Sequence, residues 1–328
     1  MNIKNAWIVF AVALLVTLPT RMYQILFLVD QDTGFYTDGM KTTAFVSAGL
    51  AAGVILLIAM CFMDKSEKPK YSPIRSIPAA VFGVLAGLGI VLQYAVGIFT
   101  SGESQNPLPS LILALVGICA GAVMILTAYQ FATGGNTFEA HPILALVPSV
   151  WGCVSLVSLF LTYVAVVNVA ENIYDTFTVI FLLLFLFAQA KMFARIEDEK
   201  SAKLVYMFGL PAALLLLVTG IPGTVMVLFN IKSAGTFPVG LYPVNILLAL
   251  YVILFLVQYS KEKVDRLLPA AEALDEEPQV SEAVTGTPDT DEREEEAPGQ
   301  ESCLEFLGKA YHSQLQFCEE IKSPFFHN

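Results

Sequence analysis

Eight apolar runs constrain this chain more than any other feature. They lie at residues 7–29, 42–63, 78–99, 110–132, 143–168, 174–194, 204–229 and 238–258. A helix of about 20 residues crosses the hydrocarbon core of a bilayer. In hydrocarbon every backbone N–H and C=O must bond within the protein, and helices satisfy this segment by segment. Charged residues make up only 14% of the chain and mean hydropathy is +0.67, whereas soluble domains carry about a quarter charged residues. The charge sits in short connectors and in the last 70 residues. The reading is all-α: a polytopic helical bundle in a lipid bilayer, with residues 1–260 as an eight-helix transmembrane domain.

Basic residues orient the bundle, because cytoplasmic connectors are rich in Lys and Arg. Lys4, Lys65, Lys68, Lys70, Arg75, Lys191, Arg195, Lys200, Lys203, Lys261, Lys263 and Arg266 fall on one side of an eight-span chain, against Lys41 and Lys232 on the other. Both termini are therefore expected in the cytoplasm. The connector "TGGNTFEAHP" after the fourth run has no Lys or Arg and is the weak point of this topology. Lys4 and the run that follows look like a signal peptide, but no small-x-small site comes after them, so the run is read as an uncleaved first span.

Runs two, three and four each hold a G-x-x-x-G: Gly49 with Gly53, Gly83 with Gly87, Gly117 with Gly121. Such pairs let two helix backbones approach closely, so the first half is expected to pack tightly. Run six is bulky and free of glycine, and is expected to face lipid over much of its surface. Proline interrupts several runs: Pro19, Pro148, Pro211, Pro222 and Pro243. At Gly220, Pro222 and Gly223 two glycines flank the proline, making "GIPG" the candidate hinge. Shared features of spans 1 and 5, 2 and 6, and 3 and 7 suggest a weak four-plus-four parallel repeat.

The tail differs in kind. Residues 270–301 hold twelve acids against one base, Arg293, with few large apolar side chains. Residues 261–301 are therefore read as an acidic, disordered cytoplasmic linker, suited to recruiting a cytoplasmic protein partner. Residues 302–328 carry Leu304, Leu307, Tyr311 and Leu315 at helical spacing and suggest a short amphipathic helix. The five cysteines have no C-x-x-C or zinc-type spacing, so no metal or disulfide framework is expected.

Arg21 stands just after Pro19, inside the first run, about 13 Å of helix before Asp30. It either snorkels to the outer interface or faces inward and meets an acid. Asp38, Asp175 and Glu171 are the acids nearest in depth, and Asp38 and Asp175 are the best candidates. With Gln93 and Asn168 these residues form the candidate outer polar site. Other polar residues in spans, Tyr94, Gln130, Gln189 and Asn245 among them, are expected to bond across to neighbouring helices. The stretch "RMYQILFLVDQDTGFYTD" resembles the first-span exit of uncharacterised multi-span bacterial membrane proteins, through Arg21, Tyr23, Gln24, Asp32, Thr33, Gly34, Phe35 and Tyr36. The resemblance implies a bacterial plasma-membrane protein and no particular activity.

Enzyme motifs are missing: there is no H-E-x-x-H, G-x-S-x-G or P-loop, and no cofactor fingerprint. No basic patch points to nucleic acid. A transporter-like protein for a small solute is the favoured reading. A non-transporting subunit, sensor or scaffold acting through the acidic tail is the alternative. The topology is checked by cysteine labelling of intact cells, in a variant freed of native cysteines. Glu103→Cys should label from outside, and Lys68→Cys and Lys263→Cys should not.

Overall fold

The computed structural model of the chain describes residues 3–30, 36–38, 41–63, 75–100, 107–163, 169–196, 198–229, 238 and 240–275. These contain eight α-helices: α1 (Ile3–Phe27), α2 (Lys41–Met63), α3 (Ile77–Thr100), α4 (Pro107–Thr133), α5 (Pro142–Tyr163), α6 (Val169–Phe193), α7 (Asp198–Leu228) and α8 (Leu241–Asp275). All eight are long and apolar enough to cross a membrane. The only extended pairing among the described residues is an isolated bridge between Val29 and Tyr36. The chain is a multi-pass helical membrane bundle.

Successive helices run up and down, and contacts between their ends fix which connectors share a side. Lys203 at the start of α7 donates to the Phe62 carbonyl at the end of α2, at 2.8 Å. The Ser76 N–H, just before α3, bonds the Phe131 carbonyl of α4 at 2.8 Å. Asn136, between α4 and α5, donates to the Phe193 carbonyl of α6 at 3.2 Å. Arg75, Lys191, Arg195, Lys200 and Lys203 thus gather at one end, the basic end. The base-free connector after α4 belongs there too: Glu139 pairs with Arg195 at 3.3 Å, and the Phe138 ring stacks on Phe193 with centroids 5.6 Å apart. Arg195 reaches this position because α6 closes with a left-handed residue. Its φ is 52°, and the Ile196 N–H returns to the Lys191 carbonyl at 3.0 Å, the Schellman arrangement.

α7 is the post of the bundle. In its membrane window 78% of residues are buried, against 28% for α3. α1, α2, α6 and α8 all pack against it. α3 and α7, counterparts in the expected four-plus-four repeat, thus differ in burial. α6 is 56% buried in its membrane window: Leu182, Phe185, Leu186 and Met192 are enclosed, while Ile173, Phe177 and Phe187 stay exposed.

The glycine pairs behave as expected. Gly87 of α3 and Gly121 of α4 meet reciprocally: a Cβ on either lies 2.7 Å from the other's carbonyl oxygen. Gly53 brings α2 onto Ala13 of α1, where a Cβ stands 3.1 Å from the Ala13 methyl, and a Cβ on Gly49 stands 3.4 Å from Thr17. Gly83 seats Ala128 at 3.0 Å. Gly117 lies under the Tyr94 ring.

The "GIPG" segment is not a break. α7 stays helical through Pro211 and Pro222, and Gly223 is the seat of the Tyr242 ring from α8. Pro243 does not interrupt a span either. It lies in the first turn of α8, where its missing N–H is not needed. α8 then runs to Asp275, so the first residues of the expected linker are helical. The rest of the acidic segment and residues 302–328 lie outside the described residues.

Adding a methyl at position 87 forces two backbones apart, and overpacking costs about 1–3 kcal/mol. Gly87→Ala should lower thermal stability in detergent by that amount. A methyl at position 97 would meet nothing within 4 Å among the described residues, so Gly97→Ala should be neutral or stabilise by about 0.4–1 kcal/mol through the unfolded chain.

Candidate functional site

At the other, low-charge end, α1 stops at Phe27 and the chain folds back over it. The Thr37 N–H bonds the Leu28 carbonyl at 2.9 Å, beside the Val29–Tyr36 bridge. This return carries Tyr36 over Arg21. Arg21 is 2% exposed and faces inward, which removes the snorkelling alternative. Its Nη1 donates to Gln24 Oε1 and to the Tyr36 hydroxyl, both at 2.8 Å. The guanidinium lies over the Tyr174 ring of α6, 4.6 Å from the centroid, a cation–π arrangement. Gln24 Nε2 donates to Thr43 Oγ1 of α2 at 2.6 Å. The Tyr174 hydroxyl donates to the Thr43 carbonyl at 3.1 Å and lies 3.0 Å from Ser47 Oγ. One buried cluster therefore joins α1, α2 and α6.

The other candidate residues do not all join it. Asp38 accepts from the Thr42 N–H at 2.7 Å and from the Thr42 hydroxyl, so it caps α2. Asp175 is buried directly after Tyr174, one residue from the ring under the guanidinium. Glu171 falls in the first turn of α6. Asn168 lies outside the described residues. Gln93 packs against Gly240 at the start of α8, on the α3–α8 seam. Gly220 and Gly223 serve that same helix as packing seats, so neither Gln93 nor the expected hinge belongs to the Arg21 cluster.

A cavity of about 180 Å³ opens between α3, α4, α5, α6 and α8 at the low-charge end. Tyr94, Leu113, Trp151, Ser155, Thr178 and Asn245 are among its walls. Trp151 Nε1 donates to the Tyr94 hydroxyl at 3.0 Å, and the two rings meet edge to face at 83°. Thr178 ties the cavity to the arginine cluster, since its hydroxyl donates to the Tyr174 carbonyl at 2.7 Å. An apolar groove of about 330 Å³ runs between α2 and α6 from Ser47 and Tyr174 toward Ile58 and Phe181. The basic end, by contrast, is filled by rings. Phe131 lies 5.6 Å from Phe255 and 6.1 Å from Phe193, centroid to centroid, and Gln189 donates to the Tyr251 hydroxyl among them at 2.7 Å.

Sequence reasoning misses Tyr36, Thr43, Tyr174 and Trp151 as members of a site. Tyrosines at span ends read as interface anchors, which hides two of them. A tryptophan in mid-span needs a partner for its N–H, and that is a usable signal for Trp151. Among the described residues no His, Cys, Asp and Glu group is placed to hold a metal. Comparison with protein-family models, curated proteins and solved structures finds no match to this chain.

Removing the Tyr36 hydroxyl takes an acceptor at 2.8 Å from a buried guanidinium, a loss of about 1–3 kcal/mol. Tyr36→Phe should destabilise the protein by that amount in detergent. In an Arg21→Leu background the same change should cost far less, and a double-mutant cycle measures the difference.

Proposed function

We propose that this chain is a transporter-like protein for a small neutral solute, entering from the low-charge end. The supporting observation is the asymmetry of the bundle, with a cavity of mixed polarity at one end and a seal of aromatic rings at the other. Among the described residues no charged side chain lines the cavity, which suits a neutral solute. Basic connectors at the sealed end favour that end as cytoplasmic, so the cavity faces outward in a plasma membrane.

Arg21 serves this reading as a clamp. It ties α1 and Tyr36 to Tyr174, and Thr178 sits one turn further along α6 in the cavity wall. Asp175 is the acid best placed as its counter-charge, being buried beside Tyr174, and buried charges require partners. The alternative is a non-transporting subunit or scaffold that recruits a partner through its acidic tail.

Purified protein in liposomes separates the two. Swelling driven by a panel of small neutral solutes, urea, glycerol and nicotinamide among them, should show protein-dependent entry for at least one. Ser155→Phe, which fills the cavity, should slow that entry at least tenfold. Entry no faster than in protein-free liposomes across the panel favours the subunit.

A further inference from the structure

α2 and α6 each pack on α7, and the groove of about 330 Å³ lies between them. Its floor is enclosed, with Leu50, Val54 and Leu215 buried. Its rims are open, with Ile55, Ile173 and Phe177 exposed. In a multi-pass bundle such exposed apolar side chains form the lipid-facing surface, and the groove is continuous with it. Two hydroxyls belong to its walls, those of Ser47 and Tyr174. Both donate to the Thr43 carbonyl, at 2.7 and 3.1 Å. Every other lining side chain is hydrocarbon.

We propose that this groove seats one acyl chain of a bilayer phospholipid, in contact with α2, α6 and Leu215 of α7. The proposal is independent of what the cavity carries. Width separates an acyl chain from a helix of a second copy. Ser47 and Ile58 are eleven residues apart, about 16 Å of helix. A volume of about 330 Å³ over that length gives a mean cross-section of roughly 20 Å². A helix is about 10–12 Å across, roughly 80 Å² or more in section. It would rest on the rims and leave the floor empty. A single hydrocarbon chain is narrow enough to reach Leu215. Packing supplies the driving force. Between apolar groups in lipid, association depends on close contact, and a void beside the floor residues forfeits those contacts outright. No charged side chain lines the groove, so the chain alone occupies it and the headgroup stays outside.

In nanodiscs, the full-length protein is irradiated with a phosphatidylcholine that carries a diazirine at mid-chain, and adducts are mapped by peptide mass spectrometry. Leu15 on α1, 73% exposed, reports chains that merely surround the bundle. Leu215, 3% exposed, reports a chain inside the groove, and its fully enclosed neighbour Leu214 gives the background. Leu215 should be labelled at least fivefold above Leu214. Ala51→Phe puts a ring into the groove and should cut Leu215 labelling at least fivefold, with Leu15 unchanged. Ala52→Phe alters an exposed neighbour outside the groove lining and should change neither. Leu215 labelling no higher than at Leu214, or labelling that survives Ala51→Phe, overturns the proposal. An unlabelled Leu215 in a protein that native mass spectrometry shows as a dimer assigns the groove to a second copy instead.

Discussion

Lipid offers no hydrophobic reward for bringing two helices together, since acyl chains are as apolar as the side chains they replace. Association depends on close packing and on bonds between helices. α7 carries that requirement for this bundle. Its buried side chains are mostly Ala, Leu and Val, with Ala212, Ala213, Leu214 and Leu216 fully enclosed. Small residues let α8 and α6 come near, and where α7 has glycine the neighbours press in furthest. The α3–α4 pair solves the same problem by direct backbone apposition at Gly87 and Gly121. Glycine is therefore a packing residue at these seams, including at the segment that reads as a hinge in sequence.

The second constraint is that polar groups in the spans must find partners inside the protein. Arg21 shows how much structure one such group recruits. A charge at a helix centre costs about 2.5–3.5 kcal/mol on insertion scales. Arg21 lies in the last third of α1, and its buried guanidinium is met by Gln24 one turn on, by the Tyr36 hydroxyl and by the face of Tyr174 from α6. Gln24 in turn is bonded to Thr43, and Tyr174 to Thr43 and Ser47. Tyr36 is thus held against α1 twice, by its bridge to Val29 and by its hydroxyl on Arg21.

Length and hydropathy make the eight helices legible, since the bilayer leaves few alternatives for runs of this kind. The glycine seams of α3 and α4 are legible for a related reason: both partners carry the motif at matching spacing. Burial is not. α6 is bulky and free of glycine, and composition cannot tell a lipid-facing surface from a buried one when both are apolar. The candidate site is half legible. Arg21 stands out by its charge, but its aromatic partners look like interface residues one at a time. The acids attract attention by sign, and Asp38 proves to cap α2. Tertiary placement, rather than residue type, separates these roles.

The α7 glycines also shape the seam beside the cavity. Gly220 lies against Asn245 and Ile246, and Gly223 receives the ring of Tyr242. These contacts set how closely the first turns of α8 lie on α7. Asn245 stands between that seam and the open space next to Trp151. A side chain at 220 would meet the Asn245 Cβ, the Ile246 Cγ1 and the Tyr242 carbonyl, all at 3.1 Å, so these neighbours would have to give by a few tenths of an ångström. In this structure the segment is a packing seam between α7 and α8.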